Sequence, residues 1–150
     1  MIAPENTPSN GLAIEFNTFS FIGRCNRTGA IGVVTSTNEM AVGSRVPHVK
    51  TGVGAVATQA LTDPRLGPMG LDLLAKGTSA EETLSALVDA DPHIESRQLA
   101  VIDAQGRAAA RTGANNSDWK GHHIGDGFVS MGNRLTSGDV VDAMAASFTS

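Results

Sequence analysis

A chain of 150 residues with 41% apolar residues is long enough for one domain with one buried core. The net charge of −4 gives no basic surface for nucleic acid, and no apolar run reaches the roughly 18 residues of a membrane span. The single cysteine excludes an internal disulfide, and the N-terminal residues lack the features of a secretory signal. We therefore expect a soluble cytoplasmic protein that binds neither nucleic acid nor membrane.

The beginning of the chain differs in composition from the rest. Residues 1–17 are polar at first, and then Leu12, Ile14 and Phe16 alternate with other residues in the pattern of a short strand. Two interpretations stay open: a disordered leader that adds at most one edge strand, or a propeptide that ends before residue 18. We take residues 18–150 as one domain.

Strand-like runs open this domain. Runs rich in Val, Ile, Phe and Thr predict strands over Thr18–Arg24, Ala30–Thr37 and Val53–Gln59, and a short Gly-containing link makes the first two a hairpin. Residues 38–52 have no clear period, so we expect a loop or an irregular strand there.

Two helices are predicted next. The first covers Pro68–Ala75, with Gly77 as its C-terminal stop. The second begins after Ser79, which forms a capping box with Glu82, and its apolar residues recur at helical spacing until Asp91.

The last part of the chain returns to strands and ends in a helix. Strands are predicted over Gln98–Asp103, Arg107–Thr112 and Gly127–Gly132, with a loop over 113–127, and Ser137 is expected to cap the final helix. Because strands come in blocks, the order predicts an α+β fold with antiparallel sheets covered by helices. Two stacked sheets between helical layers, an αββα sandwich, fit the small Gly and Ala residues of the strands.

Several long segments resemble one known family. They are TFSFIGRCNRTGAIGVVTST, AVGSRVP, TGVGAVATQA, GPMGLDLLAKGTSAEETLSAL, RQLAVIDAQGR and GN at 132–133. From Thr18 to about Ala146 the sequence resembles the family catalogued as domain of unknown function 1028. The resemblance implies membership of the N-terminal-nucleophile (Ntn) hydrolase superfamily and an αββα sandwich. Relatives usually begin at or next to the matching threonine and continue beyond Ser150, so we expect a truncated or processed chain.

The resemblance implies a catalytic role for Thr18. In such hydrolases the first residue of the mature chain attacks a carbonyl, and its own α-amine is the general base. Lys50 lies 32 residues later, the spacing of the catalytic lysine in the proteasome-like branch, and is expected as a charge partner. Asn133 is expected to donate to an oxyanion through its amide. The alternatives are a plain strand threonine, a solvated loop lysine and an asparagine that stabilises a turn.

Further polar residues are candidates for substrate binding. We expect Ser36 to orient the amine, although it is equally plausible as a plain strand residue. Five other residues have two open interpretations, either as solvated loop residues or as the rim of a substrate pocket. They are Arg45, His48, Trp119, His122 and His123. Because adjacent histidines in a strand point to opposite faces and no ligand spacing is present, we expect no metal. No cofactor is expected.

The leading functional hypothesis is an Ntn-type hydrolase that acts on an amide or related C–N bond of a small molecule. One alternative is a non-catalytic binding or assembly protein with an Ntn-like fold, and another is a hydrolase or deaminase that uses other cleft residues. Low charge, abundant Ala and Gly and the edge strands of the sandwich also predict a homo-oligomer.

Overall fold

The computed structural model describes residues 17–150, which form two four-stranded antiparallel sheets and three α-helices. The strands are β1 (Thr18–Arg24), β2 (Ile31–Thr37), β3 (Pro47–Lys50), β4 (Gly54–Ala60), β5 (Arg97–Asp103), β6 (Ala108–Thr112), β7 (Gly121–Gly125) and β8 (Phe128–Asn133). The helices are α1 (Leu66–Ala75), α2 (Ala80–Ala90) and α3 (Asp139–Thr149), and short 3-10 turns lie at Val42–Ser44 and Ile94–Ser96.

The two sheets stack face to face. The first has the order β2-β1-β8-β7 and the second β3-β4-β5-β6. A buried cluster fills the space between them, with Ile22, Val129 and Met131 from the first sheet and Ala57 and Ile102 among those from the second. Small alanines on the inner face of the second sheet let the two layers approach closely.

Helices cover the outer faces of both sheets. Helices α1 and α2 pack on the second sheet, where Leu74 and Leu87 meet Val56 and Val101 in a second buried cluster. Helix α3 packs on β8 and β7 of the first sheet. The predicted sandwich of two antiparallel sheets with helices is thus confirmed as an α+β architecture.

Most predicted elements are confirmed, and the capping box at Ser79 and Glu82 is present. Two edge strands refine the prediction: β3 lies in residues 38–52, where a loop or an irregular strand was expected, and β7 lies in the expected loop 113–127. Both sequences lack a clear apolar period, and each strand forms by pairing along one side with a longer neighbour.

Two predicted helix starts are shifted in the structure, and one predicted strand lies outside the described residues. Helix α1 begins at Leu66, two residues before the predicted start, because proline is tolerated in the first helical turn. The predicted cap of α3 at Ser137 is one residue early, since Gly138 is the N-cap. The predicted short strand at Leu12, Ile14 and Phe16 lies outside the described residues. Within the described part of the chain, every helix is too short or too polar to cross a membrane.

Candidate functional site

Thr18 begins the central strand β1 and lies in a row of polar side chains across three strands. In the register of the sheet it is opposite Thr37 of β2 and opposite Asn133 of β8. Residues directly opposite each other project to the same face of a sheet, so the three side chains are neighbours. The Thr18 and Thr37 hydroxyl oxygens are 3.0 Å apart.

This row opens into a cleft with two lobes that meet at Thr18. The first lobe has a volume of about 270 Å³ and the second about 140 Å³. Both lobes are lined by Thr18, Glu39, Ala60 and Leu61. The first lobe is otherwise lined by Ser96, Asn115, Asn116, Ser117, Asn133 and Arg134. The second is otherwise lined by Thr37, Val42, Arg45, Val46, Gln59 and Thr62.

A chain of buried hydrogen bonds lies behind the cleft and links the two sheets. Ser20, two residues after Thr18, has its hydroxyl 2.8 Å from that of Thr35 and 2.5 Å from Gln59 Oε1. Because an amide oxygen only accepts, Ser20 donates to Gln59 and its oxygen is left to accept from Thr35. Gln59 Nε2 in turn donates to Gln98 Oε1 at 2.7 Å. The amides of Gln59 and Gln98 are fully buried.

The orientation of the Gln98 amide is fixed by backbone carbonyls. Its Nε2 donates to the oxygens of Gly132 at 2.9 Å and Gly121 at 3.0 Å, which can only accept. Oε1 must therefore face the donors Gln59 and Asn133, the latter at 3.1 Å. The side chain of Asn133 consequently presents its nitrogen, not its oxygen, to Gln98.

Unusual backbone conformations surround the cleft. In the described part of the chain, the non-glycine residues with positive φ are Ala41 at 58°, Ala60 at 70° and Arg134 at 55°. Ala60 and Arg134 line the cleft, and Ala41 precedes the 3-10 turn that carries Val42. Such conformations are costly outside glycine and concentrate at functional sites. Their position therefore supports a binding or catalytic role for this cleft.

The charged residues of the cleft are Glu39, Arg45 and Arg134, and all three are exposed. Among residues 17–150, none of the three forms an intramolecular ion pair. Exposed and unpaired side chains of both signs are available to a charged ligand.

The structure does not bring Lys50 or Ser36 to the cleft. Lys50 pairs with Gly54 at the first end of β4, whereas Ala60 at the other end of that strand lines the cleft. The two ends are six residues, or about 20 Å, apart along the strand. Its expected role as charge partner of Thr18 has no support in this geometry. Ser36 is exposed on the outer side of β2, because side chains alternate along a strand and its neighbour Thr37 points inward.

His48 and Trp119 lie away from the lobes and pack against glycines. The His48 ring fills the space beside Gly67 of α1, where an added Cβ would meet it at once. The Trp119 ring packs in the same way against Gly121 and Gly138. Of the five rim candidates, only Arg45 lines the cleft.

The adjacent histidines point to opposite faces of β7. His122 Nδ1 is 2.8 Å from the Thr112 hydroxyl, and desolvation by the surrounding chain lowers the pKa of His122. His123 Nδ1 is 3.2 Å from Asp142 and its ring stacks on Phe128. Within residues 17–150, no group of three or more His, Cys, Asp and Glu side chains is placed to hold a metal ion.

Sequence reasoning missed the residues that hold the site together. Gln59 and Gln98 are each the one amide side chain of a strand whose central residues are mostly apolar or small, and this was the available signal. Asn116 and Arg134 lie in loops without a motif, so only their tertiary position identifies them.

Comparisons with known proteins agree on one family. A model described as "Family of unknown function (DUF1028)" matches residues 18–150. The chain is also similar to the crystal structure of a Silicibacter pomeroyi protein described with the same family, at 32% identity and a TM-score of 0.86. The match covers 89% of this chain and 62% of that protein, so this chain spans less than two thirds of its length. No curated protein matches the chain.

Proposed function

This chain belongs to DUF1028, a family of unknown function, and we propose that its cleft hydrolyses an amide or related C–N bond of a small molecule. The observation that carries the proposal is the position of Thr18. Thr18 lines both lobes and lies beside Asn133. A ligand that occupies both lobes therefore places one of its bonds next to the Thr18 hydroxyl. The family match begins at this same residue.

The proposed reaction uses Thr18 as nucleophile and base, as in Ntn hydrolases. The Thr18 hydroxyl adds to the substrate carbonyl, and its α-amine takes the hydroxyl proton. The C–N bond breaks, and the α-ammonium returns the proton to the leaving nitrogen. Water then hydrolyses the resulting ester in the same way, which releases the acid and restores Thr18. An α-amine has an ordinary pKa near 8, which suits proton transfer at neutral pH.

This mechanism requires cleavage of the bond between Asn17 and Thr18, because an amide nitrogen cannot accept the proton. We therefore propose that residues 1–17 are removed. Before cleavage, a water or a side chain near Thr18 must act as base, and the Thr37 hydroxyl at 3.0 Å is the neighbour that can orient the attacking oxygen.

Asn133 is the proposed donor to the developing oxyanion. Its Nδ2 carries two hydrogens, and the bond to Gln98 uses one of them. The second is available to a ligand in the first lobe, which Asn133 lines. Removing one such donor typically slows catalysis by about 100-fold or more.

The test is intact mass combined with covalent labelling. The purified chain is expected to begin at Thr18, and an electrophilic β-lactone is expected to add to this residue. Thr18→Ala should keep residues 1–17 and take up no label, whereas Thr18→Ser should still be cleaved. An uncut chain that never reacts at Thr18 would contradict the proposal. Ligand binding without labelling would favour a non-catalytic binding protein, and turnover by Thr18→Ala would favour a different catalytic residue.

A further inference from the structure

We propose that the ligand of the first lobe is a carboxylate-bearing amide of the N-acyl amino acid class, with its carboxylate bound by Arg134. This inference rests on the proposed function for the identity of the scissile bond. It adds which chemical group the site recognises and which lobe recognises it. Four observations support it, and they concern Arg134, Asn116, the loop that holds Asn116, and the second lobe.

Arg134 lines the lobe with an exposed side chain on a backbone that is held in place. It directly follows Asn133, and its backbone is left-handed, at φ 55°, in the wall of the lobe. Its backbone N–H donates to the Ser117 carbonyl at 3.1 Å, which ties the two walls of the lobe together. Its guanidinium has no ion-pair partner within residues 17–150. A guanidinium binds a carboxylate through two parallel hydrogen bonds.

Asn116 supplies a hydrogen-bond acceptor in the same lobe. The residue is 8% exposed, and its Nδ2 donates to the carbonyls of Arg97 at 2.8 Å and Gly113 at 2.9 Å. Those two bonds use both amide hydrogens, so Oδ1 is the polar atom left for a ligand. An acceptor and a cation that line one lobe suit a ligand that carries both an N–H donor and a carboxylate, as an N-acyl amino acid does.

The loop that carries Asn116 is anchored, so this side of the lobe is held in place before a ligand binds. Lys120 Nζ donates to the backbone carbonyls of Asn116 at 2.6 Å and Ala114 at 2.8 Å. The Glu95 carboxylate accepts from the Ala114 N–H at 2.8 Å. Preorganised polar groups of this kind favour specific binding, because little ordering is required on association.

The second lobe defines the other half of the ligand. It is about half as large as the first and includes the aliphatic side chains of Val42, Val46 and Leu61. A short aliphatic acyl group fits this volume, while the amino acid portion occupies the first lobe. With Thr18 between the lobes, the scissile amide lies beside its hydroxyl. Arg45 also lines the second lobe, which makes it the natural comparison for Arg134.

The test compares binding of N-acetylglycine with binding of its neutral analogue N-acetylglycinamide, by NMR titration of the full chain. N-acetylglycine is expected to bind more tightly and to perturb the amide signals of Ser117 and Arg134. Arg134→Asn should weaken the binding of N-acetylglycine by roughly ten- to hundredfold. Arg134→Lys, which keeps the positive charge, should weaken it less. Asn is chosen because it tolerates the left-handed backbone. Binding of N-acetylglycinamide should change little.

Two matched controls locate the effect. Arg45→Gln removes the same charge from the second lobe and is expected to weaken N-acetylglycine binding less than Arg134→Asn. Arg27→Gln, on the exposed hairpin between β1 and β2, should have no effect. Equal affinity for the two ligands, or a larger effect of Arg45→Gln, would overturn the inference. Labelling of Thr18 by a β-lactone is a separate readout, so a failure of the proposed function is distinguishable: carboxylate binding would then persist without labelling.

Discussion

The side-chain oxygen of Gln98 accepts a hydrogen bond from Asn133 Nδ2 at 3.1 Å, across the space between the two sheets. Gln98 is fully buried on β5, and Asn133 ends β8 beside Thr18. The same Gln98 amide donates to two backbone carbonyls of the first sheet. One residue of the second sheet therefore orients the amide of a candidate catalytic residue on the first.

We predict that Gln98→Glu destabilises the fold by about 2–4 kcal/mol, because a carboxylate cannot donate to the Gly121 and Gly132 carbonyls and is buried beside them. Urea unfolding at pH 7 measures the change. Gln105→Glu, in an exposed turn, is the matched control and should be near neutral. Equal stability of the two variants would show that the Gln98 network contributes nothing to the fold.

Gly54 and Gly52 provide a paired test of backbone strain against steric clash. Both have positive φ, at 150° and 73°, but a Cβ on Gly54 would contact the Ile102 carbonyl oxygen whereas one on Gly52 meets nothing within 4 Å. We expect Gly52→Ala to cost about 1 kcal/mol through strain alone. Gly54→Ala should cost more, by roughly a further 1–3 kcal/mol. Thermal unfolding compares them, and a smaller loss for Gly54→Ala would contradict the packing of β4 on β5.

Asp63 should make stability depend on pH in the acid range. Its hydrogen bonds to the Arg65 side chain lower the pKa of Asp63 from 3.8 to about 2. A carboxylate with a lowered folded-state pKa stabilises the protein above its unfolded-state pKa, and this contribution is lost as pH falls from about 4 to about 2. Asp63→Asn should therefore be less stable than wild type at pH 7, and the difference should shrink below pH 4. A difference that is constant between pH 7 and pH 2.5 would argue against this pair.

Cys25 should be an unusually acidic thiol without being part of the cleft. Hydrogen bonds from Thr28, first through its side chain and then its backbone, lower the pKa of Cys25 to about 7. We expect the ultraviolet absorbance of the thiolate to titrate with a midpoint close to pH 7. Thr28→Val should move this midpoint upward, and Thr35→Val on the adjacent strand should not. A wild-type midpoint at the ordinary thiol value, near 8.5, would contradict the assignment.

Local sequence patterns were sufficient to predict the helices and strands whose apolar residues recur at a clear spacing. The capping box at Ser79 placed the start of α2, and runs such as Thr18–Arg24 placed the central strands, because side-chain alternation and capping are local properties. Strand β7 was predicted as a loop and β3 only as a loop or an irregular strand, because both sequences lack a clear apolar period, although each forms a hairpin with the strand that follows it.

The sequence by itself determined the family, the α+β class and the choice of Thr18 and Asn133 as candidate residues, since these follow from the family resemblance and from the order of elements. Only the tertiary structure decided which charges surround Thr18. Lys50, chosen by its spacing in the chain, lies on β3 opposite Gly54, at the end of β4 away from the cleft, whereas Arg45 and Arg134 line the cleft. The reason is that antiparallel pairing places residues by register and strand direction, so distance along the chain does not measure distance in the fold.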